Sequence, residues 1–278
     1  MLAKRILTGI IAIPLLIALV YWGSEIIFLI TIMLTVGFGL VEFNKMNLAN
    51  DSFTNTSAIV PGLVLVWFIY YYRDYLSFEN TNGLSWLIVW SIVLVTLAAF
   101  LSLLMHLVFF SKKVFSLTKP FIVVIGILYV SLLLSYLILI RCGEDGRSWV
   151  FFTLLVVWGG DCGSYSIGSL IGKHQLYAVA SPNKTIEGAL GGLAASLIAA
   201  FGGKLWFLKQ LTMTHCVVLA LGIAVISQLG DLCESTFKRI NGVKDSGNLF
   251  PGHGGMLDRI DSLLFTAPLV YYYKMLIL

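Results

Sequence analysis

The sequence has 278 residues, 59% of them hydrophobic and 12% charged, with a mean hydropathy of +0.93 and a formal net charge of +4. Soluble domains carry about 25% charged residues, so this composition excludes an ordinary soluble fold and implies an all-α, polytopic integral membrane bundle. The small positive charge has no basic stripe with interleaved aromatics, so nothing in it points to nucleic acid.

In chain order, the apolar runs give about nine candidate spans at roughly 20 residues each. They are Arg5–Trp22, Ile26–Phe43, Ala58–Tyr72, Leu84–Phe110, Pro120–Ile140, Trp149–Ile171, Gly188–Leu208, Cys216–Phe237 and Met256–Leu278. Lys4 and Arg5 give the first run the look of a secretory leader. No small-x-small cleavage site follows before Trp22, so it reads as an uncleaved span. Lys4, Arg5, Lys45, Lys112, Lys113, Lys119, Lys173, Lys184, Lys238, Arg239 and Lys244 gather on one side of this topology. The positive-inside rule then puts the N-terminus and that side in the cytoplasm.

The two halves differ. Residues 1–144 read as N-terminal transmembrane helices with little charge in the spans apart from Glu42. In residues 145–278 acids enter the spans themselves (Asp161, Asp231, Glu234, Asp258 and Asp261), which marks this half as catalytic. The four cysteines are scattered in apolar surroundings and form no CxxC pair, so they read as reduced packing residues.

At the end of the eighth span Asp231, Glu234, Ser235 and Lys238 are spaced i, i+3, i+4, i+7 and share one helical face. The ninth span opens with Asp258 and Asp261, also on one face. Folded side by side, the two helix ends bring Asp231, Asp258 and Asp261 together as oxygen ligands for a hard cation, most simply Mg²⁺. The bland alternative is that the acids pair with Lys238, Arg239 and Arg259 only to fasten the helix ends. Between the helices runs GVKDSGNLFPGHGG, whose glycines, Lys244 and backbone amides suit a polyphosphate. His253 in this loop has two readings, a phosphate or acid group and a structural turn residue.

The connection before the seventh span contains Ser181, Lys184, Thr185 and Glu187 in SPNKTIEG. It reads equally as ligand binding and as a helix start, with Thr185 near the cap and Glu187 favouring the dipole. Gly188, Gly191 and Gly192 then permit close helix packing. Asp161, in WGGDCGSYSIG, is either a polar contact between helices or part of the same site.

The run from Ser235 to Asp261 resembles the signature of the phosphatidate cytidylyltransferases, S-x-F-K-R-x4-K-D-x-G-x2-F-P-x-H-G-G-x2-D-R-x-D. It meets every fixed position: Ser235, Phe237, Lys238, Arg239, Lys244, Asp245, Gly247, Phe250, Pro251, His253, Gly254, Gly255, Asp258, Arg259 and Asp261. The family's SPxKTxEGxxGG element is matched from Ser181 to Gly192. Ser164 stands where the family often has Ala in Asp-x-x-Ala-Tyr, a small-for-small change between Asp161 and Tyr165.

The resemblance implies transfer of CMP from CTP to phosphatidic acid in the cell (inner, cytoplasmic) membrane, giving CDP-diacylglycerol and pyrophosphate. It implies Mg²⁺ dependence, room for K⁺ at a second cation site, and a homodimer as one form of assembly. Asp231, Asp258, Asp261 and Lys238 become the catalytic candidates, the three aspartates as metal ligands. Ser181, Lys184, Thr185, Glu187, Ser235, Arg239, Lys244, Asp245, His253 and Arg259 become the candidates for substrate binding. Two rivals stand beside it: a CTP-dependent kinase of the polyprenol type, and an ion-coupled secondary transporter using the same acids.

Overall fold

A computed structural model describes residues 2–48, 58–75, 119–250 and 254–278. Among them, α1 (Leu2–Trp22), α2 (Glu25–Leu48) and α3 (Ile59–Tyr71) are followed by a long helix in three pieces. These are α4 (Lys119–Gly126), a π-helical turn at Ile127–Leu132, and α5 (Leu133–Cys142). Then come α6 (Gly146–Ile171), the strands β1 (Gln175–Tyr177) and β2 (Ser181–Thr185), α7 (Ile186–Trp206), α8 (Met213–Ile240) and α9 (Leu257–Ile277). The expected span Leu84–Phe110 lies outside the described residues.

Among the described residues, five helices are long and apolar enough to cross a membrane: Glu25–Leu48, Phe121–Cys142, Gly146–Ile171, Ile186–Trp206 and Met213–Ile240. Ala12–Trp22 and Ile59–Tyr71 are shorter apolar helices. The last helix, α9, covers the ninth expected span. Asp258, Arg259 and Asp261 in its first turns, and Tyr271 to Tyr273 further on, make it less apolar than those five. Leu190, Ile198, Leu205, Ile30 and Leu34 are exposed around the bundle, an arrangement that suits lipid and not water. The chain is an all-α membrane protein.

Helices α6 and α7 pack most intimately, and their sequences explain why. A methyl group on Gly160 would meet Ser196, on Gly163 it would meet Ala195, and on Gly192 it would meet Ser164. Small residues on both faces let the two backbones approach, which is how helices associate where lipid removes the hydrophobic drive. Elsewhere an aromatic junction forms the core. Tyr129 of the π turn lies 5.8 Å from Phe43 of α2, 5.6 Å from Phe237 of α8 and 6.2 Å from Phe265 of α9, ring centre to ring centre. Elements from before and after residue 145 therefore share one core.

Polar contacts tie the helices together at both ends of the bundle. At one end Arg141 donates to the Gly23 carbonyl at 3.0 Å, and Arg73 pairs with Glu25 at 3.5 Å. At the other end Asn241 donates to Asn47 at 2.9 Å, and this end holds the site.

Candidate active site

The acidic stripe on α8 forms as the helical spacing requires. Ser235 donates to Asp231 at 3.4 Å, and Lys238 is ion-paired with Glu234 one turn away. Gly230 lets α9 come close here, since a Cβ at that position would sit 2.7 Å from the Asp261 carbonyl oxygen. As a result, carboxylate oxygens of Asp231, Glu234 and Asp261 lie within 4.8 Å of one another.

Two unit charges at about 4 Å repel by roughly 4 kcal/mol at an effective dielectric of about 20. Three such carboxylates hold together only with cations or protons among them. Lysine supplies part of that charge: Lys184 reaches Asp231 at 2.5 Å, and Lys238 sits between Glu234 and Asp258. All-oxygen donors at this separation, without His or Cys in the group, fit a hard divalent cation.

The end of α8 is fixed by its own sequence. Asn241 is the C-cap and Gly242 follows with φ +67°. The Val243 amide returns to the Lys238 carbonyl at 3.0 Å, and that of Gly242 to Arg239 at 3.2 Å. This is the paired closure that a left-handed glycine permits, and it stops the helix just past Lys238 and Arg239.

A short hairpin brings the second basic group. Strands β1 and β2 pair antiparallel, with Gln175 opposite Thr185 and Tyr177 opposite Ser181. Thr185 caps α7 by accepting from the Gly188 amide at 3.1 Å. Glu187 folds back to accept from the Lys173 amide at 3.0 Å, the His174 amide at 3.2 Å and, at 2.5 Å, to meet the His174 ring. Arg239 fastens the hairpin to α8 through the Ala180 carbonyl at 3.1 Å. Thr185, Glu187 and Arg239 thus build the support that aims Lys184 at Asp231.

The glycine-rich loop closes around protein carboxylates. Asp258 accepts from the Ser246 amide at 3.0 Å, the Ser246 hydroxyl at 2.9 Å and the Gly255 amide at 2.7 Å, while its other oxygen meets Lys238 at 2.7 Å. Gly254 has φ +81°, and a Cβ there would strike the Asp258 carboxylate. On Gly247 and Gly255 a Cβ would run into the carboxylate of Glu42 from α2. Part of the loop's glycine content is therefore spent on making room for Asp258 and Glu42.

The expected residues fall into groups. Asp231 and Asp261 share the three-carboxylate cluster, and the third member is Glu234, which the sequence reading placed on the face without making it a ligand. Asp258 is adjacent, tied to Lys238, so the fastening role weighed from sequence is present at this residue. Asp161 lies within electrostatic reach of Asp231, Lys184 and Arg259. Lys244, Asp245 and Arg259 are exposed, and Ser181 is half-buried in the hairpin. His253 lies outside the described residues. Glu42 is the residue that sequence reasoning missed; a lone acid near the end of an apolar span was the available signal.

Comparison with known sequences bears on this geometry. A profile described as the cytidylyltransferase family matches residues 3–277. The chain belongs to the cytidylyltransferase family. One relative, the phosphatidate cytidylyltransferase of Bacillus subtilis (strain 168), is 34% identical over 275 residues, covering 97% of this chain and 96% of the relative. The protein of the same name from Staphylococcus saprophyticus is 35% identical over 266 residues, covering 96% of each. That of Staphylococcus aureus (strain COL) is 39% identical over 168 residues, 58% of this chain and 61% of the relative. As a member of the cytidylyltransferase family, this membrane protein is a CTP-dependent nucleotidyltransferase.

Proposed function

We propose that this cytidylyltransferase-family member transfers CMP from CTP to phosphatidic acid, producing CDP-diacylglycerol and pyrophosphate for phospholipid synthesis. The observation that carries the reading is the cluster of Asp231, Glu234 and Asp261 bracketed by Lys184 and Lys238. Relatives named phosphatidate cytidylyltransferase over nearly the whole length support the choice of lipid acceptor.

The attacking group is a phosphate oxygen of the lipid, already anionic at neutral pH, so no strong general base is needed. A P–O bond forms at the α-phosphorus of CTP and the α–β P–O bond breaks, releasing pyrophosphate. The obstacle is the meeting of two anions, which placed positive charge reduces. Asp231 and Asp261, with Glu234, would hold Mg²⁺; Asp258 joins them where Lys238 releases its oxygen. Bound there, the cation would neutralise and orient the triphosphate. K⁺ at a second cation position is part of the same proposal.

Lys238 and Lys184 pair with carboxylates in the resting site and can pass to phosphate oxygens when CTP enters. Arg239, Lys244 and Arg259 add charge for the triphosphate and the lipid headgroup, and Ser181, Ser235, Asp245 and His253 complete the substrate contacts. Thr185 and Glu187 act by holding the hairpin.

The proposal includes an N-terminus in the cytoplasm, about nine spans, a catalytic unit in residues 145–278, a site facing the cytoplasm of the cell membrane, and a homodimer. The gathering of Lys184, Lys238 and Lys244 at the site's end of the bundle supports the orientation.

Labelled CTP tests the reaction. Incubated with phosphatidic acid and the membrane-embedded enzyme, label from the α-position is expected in the lipid. Label from the γ-position in the lipid would instead identify a lipid kinase.

A further inference from the structure

Glu42 lies in α2, and only 8% of its surface is exposed. One carboxylate oxygen accepts from the Met256 amide at 2.9 Å; the other accepts from the Leu257 amide at 2.9 Å and the Ser246 hydroxyl at 3.0 Å. Met256 is the N-cap of α9 and provides no side-chain cap of its own. The first turn of a helix has amides without intrahelical partners. Glu42 therefore caps α9 from another helix, setting a carboxylate at the positive end of the dipole.

The contact runs on toward the chemistry. Ser246 has a single hydroxyl proton and two carboxylate acceptors, Glu42 at 3.0 Å and Asp258 at 2.9 Å. Asp258 holds Lys238 at 2.7 Å, and Lys238 also pairs with Glu234 of the acidic cluster. Gly247 and Gly255 leave the space that the Glu42 carboxylate fills. A residue needed only to anchor α2 would not require two glycines, a serine and two helix-terminal amides shaped around it.

We infer that Glu42 is a positioning residue for nucleotidyl transfer: by fixing the start of α9 and the Ser246 hydroxyl it sets Asp258, and through Asp258 the place of Lys238 beside Glu234 of the acidic cluster. The inference rests on the proposed reaction for its substrates and on the geometry alone for the chain of contacts. Glutamine at this position keeps the shape but has one acceptor oxygen, so at least one amide loses its partner while an N–H is turned toward another N–H. Asp258 then shifts, Lys238 pairs with Glu234 alone, and the cation site is weakened.

The test uses the full-length enzyme in detergent micelles or proteoliposomes, with rates expressed per folded molecule at a temperature well below unfolding. Glu42→Gln is expected to lower kcat by ten- to a hundredfold while KM for CTP changes less than threefold. In a separate assay without substrate, the Mg²⁺ midpoint for raising the unfolding temperature is expected to rise at least threefold. Wild-type kcat per folded molecule, with only a lower unfolding temperature, would make Glu42 a structural staple and overturn the inference. So would an unchanged Mg²⁺ midpoint. Should Glu42→Gln fail to fold, Ser246→Ala keeps both helix-cap bonds and is expected to lower kcat three- to tenfold; an unchanged kcat there overturns the inference equally. A wild-type enzyme inactive on CTP and phosphatidic acid would count against the reaction and leave the Mg²⁺ readout to decide the role of Glu42.

Discussion

Lys184 Nζ lies 2.5 Å from Asp231 Oδ2, so a strand residue of the hairpin neutralises a carboxylate on a different helix. Neither partner is isolated: Asp231 faces Glu234 and Asp261, and Lys184 is aimed by Thr185 and Arg239. A lysine poised this way can exchange a protein carboxylate for a triphosphate oxygen. Lys184→Met is therefore expected to raise KM for CTP tenfold or more in the membrane assay. An unchanged KM would reduce the pair to a fastening of the hairpin.

The carboxylates carry a second expectation. Asp231→Asn and Asp258→Asn should each abolish measurable turnover, a loss of at least about 10²–10³-fold on the scale of single preorganised electrostatic groups. Both proteins should still insert and elute as folded species from size-exclusion chromatography. Near-normal Mg²⁺-dependent activity in either variant would remove that residue from the proposed machinery.

Chelation is the third test. Three oxygen donors without nitrogen or sulfur favour a hard ion with tight octahedral preference over zinc. EDTA should abolish activity, and Mg²⁺ should restore it. Activity that survives exhaustive chelation would mean that the lysines and arginines of the site supply the charge without a metal.

Packing of α6 on α7 gives a paired stability test. A Cβ on Gly163 would come within 2.8 Å of the Gly191 carbonyl oxygen, whereas one on Gly202 meets nothing within 4 Å. Overpacking an interface of this kind typically destabilises by about 1–3 kcal/mol. An exposed helical Gly→Ala gains up to about 1 kcal/mol. Gly163→Ala should lower the unfolding temperature in detergent, and Gly202→Ala should leave it unchanged or raise it. Equal effects at the two sites would contradict close backbone approach as the basis of this interface.

What the sequence disclosed was local. The spacing of Asp231, Glu234, Ser235 and Lys238 put them on one face, and Ser235 and Lys238 make the contacts that face implies. Thr185 as the cap of α7 was equally readable. Periodicity could not decide which carboxylates on α8 and α9 meet, because that depends on the crossing of the helices at Gly230. Hence Glu234 stands in the cluster and Asp258 beside it. Glu42 was harder still: its partners, Met256 and Leu257, are more than two hundred positions away and act through backbone amides, which leave no mark in the sequence. The glycines around it were legible as flexibility and phosphate access. Their contact with a buried side chain was not.

The π-helical turn at Ile127–Leu132 sets where the helix from Lys119 to Cys142 can tolerate a change of length. Such a turn holds one residue more than the α-helical turn it replaces, with the flanking helix in phase on both sides. Excising one residue there can be absorbed by a return to α-helical winding, leaving Tyr136 against Tyr272 and Arg141 against Gly23. The same excision between Leu133 and Tyr136 would swing Tyr136 or its neighbours by about 100° about the axis. A single-residue deletion scan through Ile127–Ile140, read out as the yield of folded protein, should therefore show one permissive window, at Ile127 and Leu128 ahead of the buried Tyr129 ring, flanked by intolerant sequence.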